Sequence, residues 1–495
     1  MLYIRTTKTG SGATAVQVVR YENRKKIIVA HIGSARTKQA MLSLRREAES
    51  WVEKVTKQQH LFSAQTDSIV VLNKCRYVGI RYSFIYEILT GIFTLFKFHL
   101  LNNPLLTDLV LMRIVEPASK VHSFQLLEDY FGIKRQLRDF YRQLPKFIEL
   151  ENAVGTKILA VAKKHFKFDF SLIFYDVTTL YFESFKSDDL RKPGFSKDNK
   201  FNQPQVIIGL VVNGQGFPVD CKMFEGNIFE GNTLLPVIIN FKKKHQVRQL
   251  TVVADAAMIS LKNIRVLEEN NLNYIVGARL GNAPLRLIKE ISFKLAMKDR
   301  ATNRIKTGHG DLVCSFSNIR YRKDKYEMDK QINKAEKLVK EPSMARRVKF
   351  LKFIAPNNGI LNTDLIDKTK MLLGIKGYYT NLGEEISDAV IISQYRNLWH
   401  VEQSFRVAKN DLQMRPIYHY KPNAIKAHVL ICFMALAVSK FLEIKTGKSV
   451  RAVIAQLKEV TDARLFNTIT KEEIVLRSEI SDDLRRLIHD IGLWY

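Results

Sequence analysis

Three acids stand at positions that folding alone explains poorly. Asp176 follows the apolar run Leu172-Ile173-Phe174-Tyr175, and Asp255 ends the run Val252-Val253-Ala254. An ionised carboxylate in a buried strand is costly without a hydrogen-bond partner or a metal ion. Taken singly, Asp176 reads as a hydrogen-bonded acid at a strand edge and Asp255 as an N-cap for the next helix. Two core strands that each carry one acid are harder to dismiss. The third acid, Glu402, falls in a stretch of helical periodicity over 388–412, where Leu398, Val401, Phe405, Ala408 and Leu412 form an apolar stripe. Beside the stripe run Tyr395, Trp399, Glu402, Arg406 and Lys409, at steps of four, three, four and three. A Glu402–Arg406 ion pair on an amphipathic helix would account for that face by itself. Together with the two aspartates it has a chemical reading: the acid holds a metal ion, the cations hold phosphates and the aromatics stack on a base. In-line attack on a phosphodiester needs an activated nucleophile and a stabilised leaving oxygen, and two divalent cations held by clustered carboxylates supply both.

Carboxylates can converge only from rigid elements. Residues 171–184 predict a strand, 205–224 a hairpin turning at Asn213-Gly214-Gln215-Gly216, 233–245 a helix, 250–258 a buried strand and 273–280 another strand. That order builds an α/β fold, an RNase H-like mixed-sheet core. Residues 282–385 break the order with a basic, mixed segment containing a hairpin-like turn at Gly308-His309-Gly310-Asp311 and a charged helix over 324–340. The segment predicts a strand-containing domain inserted outside the sheet. The region 386–445 then supplies the last helix of the core and an apolar helix after it. Before the core, 1–60 reads as a strand meander plus a helix. Residues 80–165 read as short helices broken at Pro104, Pro117, Gly132 and Pro145. The last stretch, 446–495, reads as small amphipathic helices.

Composition narrows the partner. Lys plus Arg number 78 against 49 for Asp plus Glu, a net charge of +29 spread over 495 residues. Such an excess attracts polyanions, of which nucleic acid is the obvious one, although a lysine-rich proteome would also produce it. A membrane surface fits less well, because the cations are dispersed instead of lining one amphipathic helix. Lys120, Lys134, Arg135, Arg138, Arg142 and Lys146 stud the region 61–165, which suits a helical DNA-end-binding region and equally a helical domain that binds nothing. The cysteines, Cys75, Cys221, Cys314 and Cys432, form no C-x-x-C pair, which argues against zinc knuckles and fits a reducing compartment. The N-terminus shows no secretory h-region, and the apolar run Tyr82–Phe96 is short and interrupted by Glu87. The expectation is a cytoplasmic, DNA-associated protein without a membrane partner.

The sequence resembles the DDE transposases of bacterial insertion sequences, in the branch marked by a Y-x2-R-x3-E-x6-K signature. Tyr395, Glu402 and Lys409 match that signature, while Leu398 stands where it has arginine; Arg396 and Arg406 are the cations nearest to take over that role. The pieces YDVTTLYFES, VVADAAMIS, NYIVGARL, LWHVEQSFRVAK and RPIYH resemble one group within the branch, as do AVQVVRYENRKKIIVAHIGSA and VEPASKVHS. Ala256-Ala257 departs from the basic residue or glycine common after the second aspartate. The resemblance implies a core divided into 166–281 and 386–445 by the insertion at 282–385. It implies a catalytic and metal-binding triad of Asp176, Asp255 and Glu402 that holds two Mg2+ ions, with Mn2+ able to substitute. DNA contacts would fall to Tyr395, Arg396, Trp399, Arg406 and Lys409. The implied reaction is cut-and-paste transposition: hydrolysis at the element's terminal inverted repeats, then strand transfer to target double-stranded DNA by a homodimer in the synaptic complex. Relatives often release the element through a DNA hairpin, a step this sequence leaves open. Two other readings remain at this level, a different RNase H-like DNA nuclease and a catalytically silent, transposase-derived DNA-binding protein.

The charge predicts DNA binding that falls log-linearly with salt as phosphate contacts release counterions. A salt series of duplex affinity for Asp176→Ala should match that of the wild type. A flat response, or binding abolished by this substitution, would count against a basic surface separate from the acids.

Overall fold

The computed structural model describes residues 2–10, 12–22, 25–56, 72–183, 185–195, 202–258, 260–295, 297–308, 310–340, 348–355 and 358–493. The junction at 57–71, His309 of the expected turn and 341–347 of the expected insertion lie outside the described residues. The chain divides into two compact units, 1–77 with 466–473, and 78–465 with 474–495.

In the first unit, β1 (Leu2–Lys8), β2 (Thr14–Glu22) and β3 (Lys25–Ala35) form an antiparallel meander, followed by α1 (Lys38–Thr56). Val16 and Val18 of β2 bury against Ala48 of α1, with Met41, Leu44 and Trp51 packed around them. The three- and four-residue spacing of that apolar set is what lets one helix face cover the sheet.

Beyond β4 (Cys75–Arg81), five helices precede the central sheet: α2 (Ser83–Leu95), α3 (Pro104–Val115), α4 (Lys120–Phe131), α5 (Leu137–Glu149) and α6 (Glu151–Phe166). Pro104 occupies the first turn of α3, where no N–H is needed, and Gly132 ends α4 in the left-handed region with φ 72°. Pro145, by contrast, does not break the chain; it lies inside α5, where buried Phe140, Leu144 and Phe147 hold the helix despite one missing hydrogen bond.

The sheet begins with β5 (Leu172–Tyr181), β6 (Gln205–Val212) and β7 (Pro218–Glu225), followed by α7 (Leu234–His245), β8 (Thr251–Ala254), α8 (Leu261–Glu269) and β9 (Asn273–Ala278). β5, β6 and β7 pair antiparallel in sequence, while β8 and β9 add parallel on the other side of β5. The order β7-β6-β5-β8-β9 is the RNase H-like arrangement.

The next segment corrects an expectation. α9 (Leu285–Leu295), β10 (Thr302–Thr307), β11 (Gly310–Phe316), α10 (Asn318–Lys340), β12 (Leu351–Ala355), β13 (Asn358–Leu361), α11 (Thr363–Lys370) and β14 (Ile375–Thr380) follow in order. β14 pairs antiparallel with β9, β11 with β14 and β10 with β11, so three strands of the supposed insertion extend the central sheet to eight strands. They cover the edge that β9 would otherwise leave open. Leu312, Cys314 and Phe316 alternate along β11 and bury against Leu280, Ile291 and Leu295. The remainder, α10, the β12–β13 hairpin and α11, has a small core of its own around Met328, Ala335, Phe350, Ile366 and Leu373.

The expected single helix over 388–412 is two: α12 (Asp388–Arg396) and α13 (Trp399–Arg406), with a π-helical turn over Val407–Asp411. Then comes α14 (Pro422–Thr446), long and apolar enough to cross a membrane by length and composition, with 89% of that apolar window buried inside the protein. α3, α5, α6, α15 (Val450–Lys458) and α16 (Asp482–Ile491) pack around it. A helix apolar on every side is a core helix. The tail is not purely helical, since β15 (Asp462–Asn467) and β16 (Glu473–Arg477) pair with each other.

Arg304 on the outermost strand β10 fastens this edge to the last part of the core. Its guanidinium donates to Asp388 (2.9 Å) and to the carbonyls of Ile386 (2.8 Å) and Leu382 (3.3 Å) at the start of α12. Removing one member of a mostly buried ion pair strands the other, so Arg304→Met should lose about 2–4 kcal/mol of stability. Hydrogen exchange should quicken at α12 before it quickens at β5; uniform exchange, or an unchanged melting temperature, would show that Arg304 does not tie the two together.

Candidate active site

Asp176 and Asp255 come together through strand register. Tyr175 pairs with Ala254 at the end of the parallel β5–β8 ladder, and each aspartate is the next residue along its chain. Neighbouring strands lie about 4.8 Å apart at that level. The fully buried Tyr175 donates its hydroxyl to Thr233 Oγ1 at 2.8 Å, and alternation along the strand turns Asp176 to the opposite face. Asp176 is half-buried; Asp255 is exposed and accepts the Ala256 backbone N–H at 2.7 Å. The chain then turns at 256–258. Buried Asn263 fixes this turn by donating to Met258 O (2.8 Å) and to Gly231 O (2.7 Å), which joins it to the Glu230–Asn232 turn.

The break between α12 and α13 changes what the signature helix presents. Leu398, Val401, Phe405, Ala408 and Leu412 are all buried, so the apolar stripe holds. The polar face divides. Trp399, Glu402 and Arg406 are exposed on α13, Arg396 is exposed at the end of α12, and Lys409 is half-buried on the π-helical turn. Tyr395 is only 6% exposed, so it cannot offer its ring to a base as the sequence suggested. Its ring packs on Tyr378 at 4.7 Å, and its hydroxyl donates to Asp255 Oδ1 at 3.3 Å. Burial, then the charge of Asp255, raises the phenol's pKa, which keeps it a donor. α13 packs against β5 and β6. Ser404 anchors it, donating to the Gly216 carbonyl at 2.8 Å in the β6–β7 turn. Gly216 has φ +80°, and a Cβ there would press on His400 at 3.2 Å.

Lys376 was not legible in the sequence because its strand, β14, was read as part of a separate insertion. Its ammonium lies 4.6 Å from the Tyr395 ring centroid and 5.6 Å from that of Tyr378. Burial and then Arg320 depress its pKa, while Asp255 and Glu402 oppose that shift, which puts both acids within its electrostatic reach. Lys376, Asp255, Gly277 and Tyr395 form one wall of a cleft of about 610 Å3. α10 and α11 form the other, with Arg320, Gln331 and Lys368 among its lining.

Three carboxylates of hard oxygen donors, on β5, at the end of β8 and on α13, suit Mg2+ or Mn2+ by chemistry. Among the described residues, no three His, Cys, Asp or Glu side chains are gathered closely enough to cage an ion. That spacing is compatible with Mg2+, which is commonly held by one or two carboxylates together with substrate phosphates and water.

The family model described as a transposase DDE domain matches residues 167–438. No curated protein matches the sequence. Among solved structures, a cryo-EM structure of a piggyBac transposase synaptic complex with hairpin DNA is similar at a TM-score of 0.40 and 9% identity, covering 71% of this chain and 68% of that one.

Gly277 on β9 makes room for the Tyr395 hydroxyl, since a Cβ there would lie 2.5 Å from it. Gly277→Ala should cost about 1–3 kcal/mol by overpacking. Tyr395→Phe should restore most of that loss in the double variant, read as a double-mutant cycle of unfolding free energies. Additive losses would mean that the two residues do not meet.

Proposed function

The chain belongs to the transposase DDE domain family, and from that premise we propose that it cuts DNA at the ends of a mobile element and joins those ends to target DNA. Asp176, Asp255 and Glu402 would hold the divalent cations on which the family generally depends. The observation that carries this reading is the register of β5 and β8, which brings Asp176 and Asp255 to neighbouring positions beside the helix that bears Glu402. Bound there, two such ions would activate the attacking oxygen and stabilise the leaving one.

The chain's own residues have distinct tasks in this account. Tyr395 orients the Asp255 carboxylate through its hydroxyl, and Lys376 places a positive charge within electrostatic reach of Asp255 and Glu402. Exposed Arg396 and Arg406 bind backbone phosphates on either side of Glu402, and Lys409 does so from the π-helical turn. Trp399, 51% exposed and tilted against His400 with ring centroids 3.9 Å apart, offers an aromatic face to an unpaired base. Lys349 and Lys368, on the part of the cleft where Asp324 already pairs with Arg320 and Glu327 also lines the wall, guide the strand that enters beside Asp255.

In the first reaction, water adds to the phosphorus at the element's end and the bond to the 3′ oxygen breaks, freeing a 3′-hydroxyl and leaving a 5′-phosphate. In the second, that 3′-hydroxyl attacks a target phosphodiester, forming one phosphodiester as another breaks. Joining two ends in one event calls for two copies of the chain, a dimer on DNA.

Glu402→Gln keeps the shape of the side chain and removes its charge. Cleavage of element-end DNA in Mg2+ or Mn2+ should fall about a thousand-fold or more, equivalent to about 4 kcal/mol of barrier. Folding and duplex affinity should stay near wild type. Cutting at close to the wild-type rate would exclude Glu402 from the triad.

A further inference from the structure

One buried charged cluster takes no part in the reaction described above. Arg113 on α3 and Lys120 at the first turn of α4 are 5% and 7% exposed, yet both line a cavity of about 100 Å3. Ser119, Arg415, His419 and His428 are among the other residues that line it. Two neighbouring buried cations are costly unless something negative accompanies them. Arg113 Nη1 reaches only the Leu412 carbonyl, at 3.5 Å, and Lys120 Nζ lies 5.8 Å from the Phe140 ring centroid. Among the described residues, no carboxylate pairs with either cation.

The other titratable groups facing the cavity supply no negative charge. Burial, then Lys120 and Arg113, holds the His419 imidazole down to about 4 and His428 well below its ordinary value. His428 Nε2 stands 3.0 Å from the Met414 carbonyl, which assigns the proton to that nitrogen. Burial raises the Cys432 thiol, so it stays neutral as well. Burial, then Arg113, lowers Lys120 to about 7, the behaviour of an ammonium that lacks a counter-ion. Ser119 caps α4 by accepting the His122 N–H at 3.3 Å, leaving its own hydroxyl hydrogen free to point elsewhere. The positive end of the twelve-residue α4 opens on the same space.

We propose that this cavity is a phosphate-binding site, with Arg113 and Lys120 as charged donors and Ser119 and the start of α4 as neutral ones. The volume suits one phosphate group and excludes a whole nucleotide. Its position favours a backbone phosphate of DNA over free phosphate. Ile417 bridges Phe182 just beyond β5, the strand that carries Asp176, and the Arg415 guanidinium stands 5.7 Å from the Tyr181 ring centroid. The choice of DNA as the source rests on the DNA-cutting reading, whereas the phosphate chemistry does not.

The test uses the full chain in two arms. In the first, the melting temperature is measured in inorganic phosphate against chloride at matched ionic strength. Wild type should gain a few degrees in phosphate. Lys120→Met should melt higher than wild type in chloride, because an uncompensated buried cation is gone, and should gain nothing from phosphate. In the second, duplex affinity is followed across a salt series, and Lys120→Met should reduce the slope of log affinity against log salt by about 0.9. Phosphate stabilisation with an unchanged slope would keep the site and overturn DNA as its source. Wild type that gains nothing from phosphate over chloride would overturn the site itself, a result that needs no variant to fold. A chain that binds no duplex at all would defeat the transposase reading while leaving the phosphate arm to stand or fall alone.

Discussion

The parallel register of β5 and β8 is the constraint around which the sheet of the second unit is organised. It sets Asp176 and Asp255 one residue beyond a paired position on adjacent strands, with Glu402 on the helix that packs against β5 and β6. The surroundings of Asp255 are fixed locally. The Ala256 N–H and the Tyr395 hydroxyl both reach Asp255, and the Lys376 ammonium lies within range of Asp255 and Glu402. Each partner comes from a different part of the chain, and each is itself fixed: the turn after Asp255 by Asn263, Tyr395 by Tyr378 and the room at Gly277, and α13 by Ser404 on the Gly216 carbonyl. None of these groups needs to react. Their work is to hold Asp255 and its neighbours in one arrangement.

The extension of the sheet builds outward from that register. A five-stranded core would end at β9, leaving an open edge and no wall opposite Asp255. Adding β14, β11 and β10 closes that edge and delivers Lys376 and Tyr378 to the acids, while α10 and α11 rise to form the far side of the cleft. Arg304 then closes the loop by holding β10 to the start of the helix that carries Tyr395. A segment that interrupts the core in sequence therefore completes it in space.

The strands bearing Asp176 and Asp255, the hairpin between them and the buried stripe through Leu398 and Phe405 were legible from local pattern, because an apolar run with one acid and a three- and four-residue apolar spacing are short-range signals. The break at Asn397–Leu398 was not. Helical spacing continues across it, so Tyr395 and Glu402 looked like neighbours on one face, while the structure buries one and exposes the other. The membership of β10, β11 and β14 in the sheet was equally hidden, since pairing with β9 depends on contacts about a hundred residues apart in sequence, which no local window contains. Lys376 was missed for the same reason. The buried pair Arg113 and Lys120 looked like two more cations in a basic chain; their burial around one cavity is a tertiary fact.

We propose that Asp176, Asp255 and Glu402 act as one metal-holding centre although they lie on three separate elements. Electron paramagnetic resonance of Mn2+ titrated into the protein–DNA complex addresses it directly, comparing wild type with Asp176→Asn, Asp255→Asn and Glu402→Gln. The account predicts that wild type binds two Mn2+ ions close enough to couple magnetically, and that each substitution removes the coupling and weakens binding at least about tenfold, or about 1.4 kcal/mol. Unchanged Mn2+ affinity and coupling in any one of the three variants would contradict it.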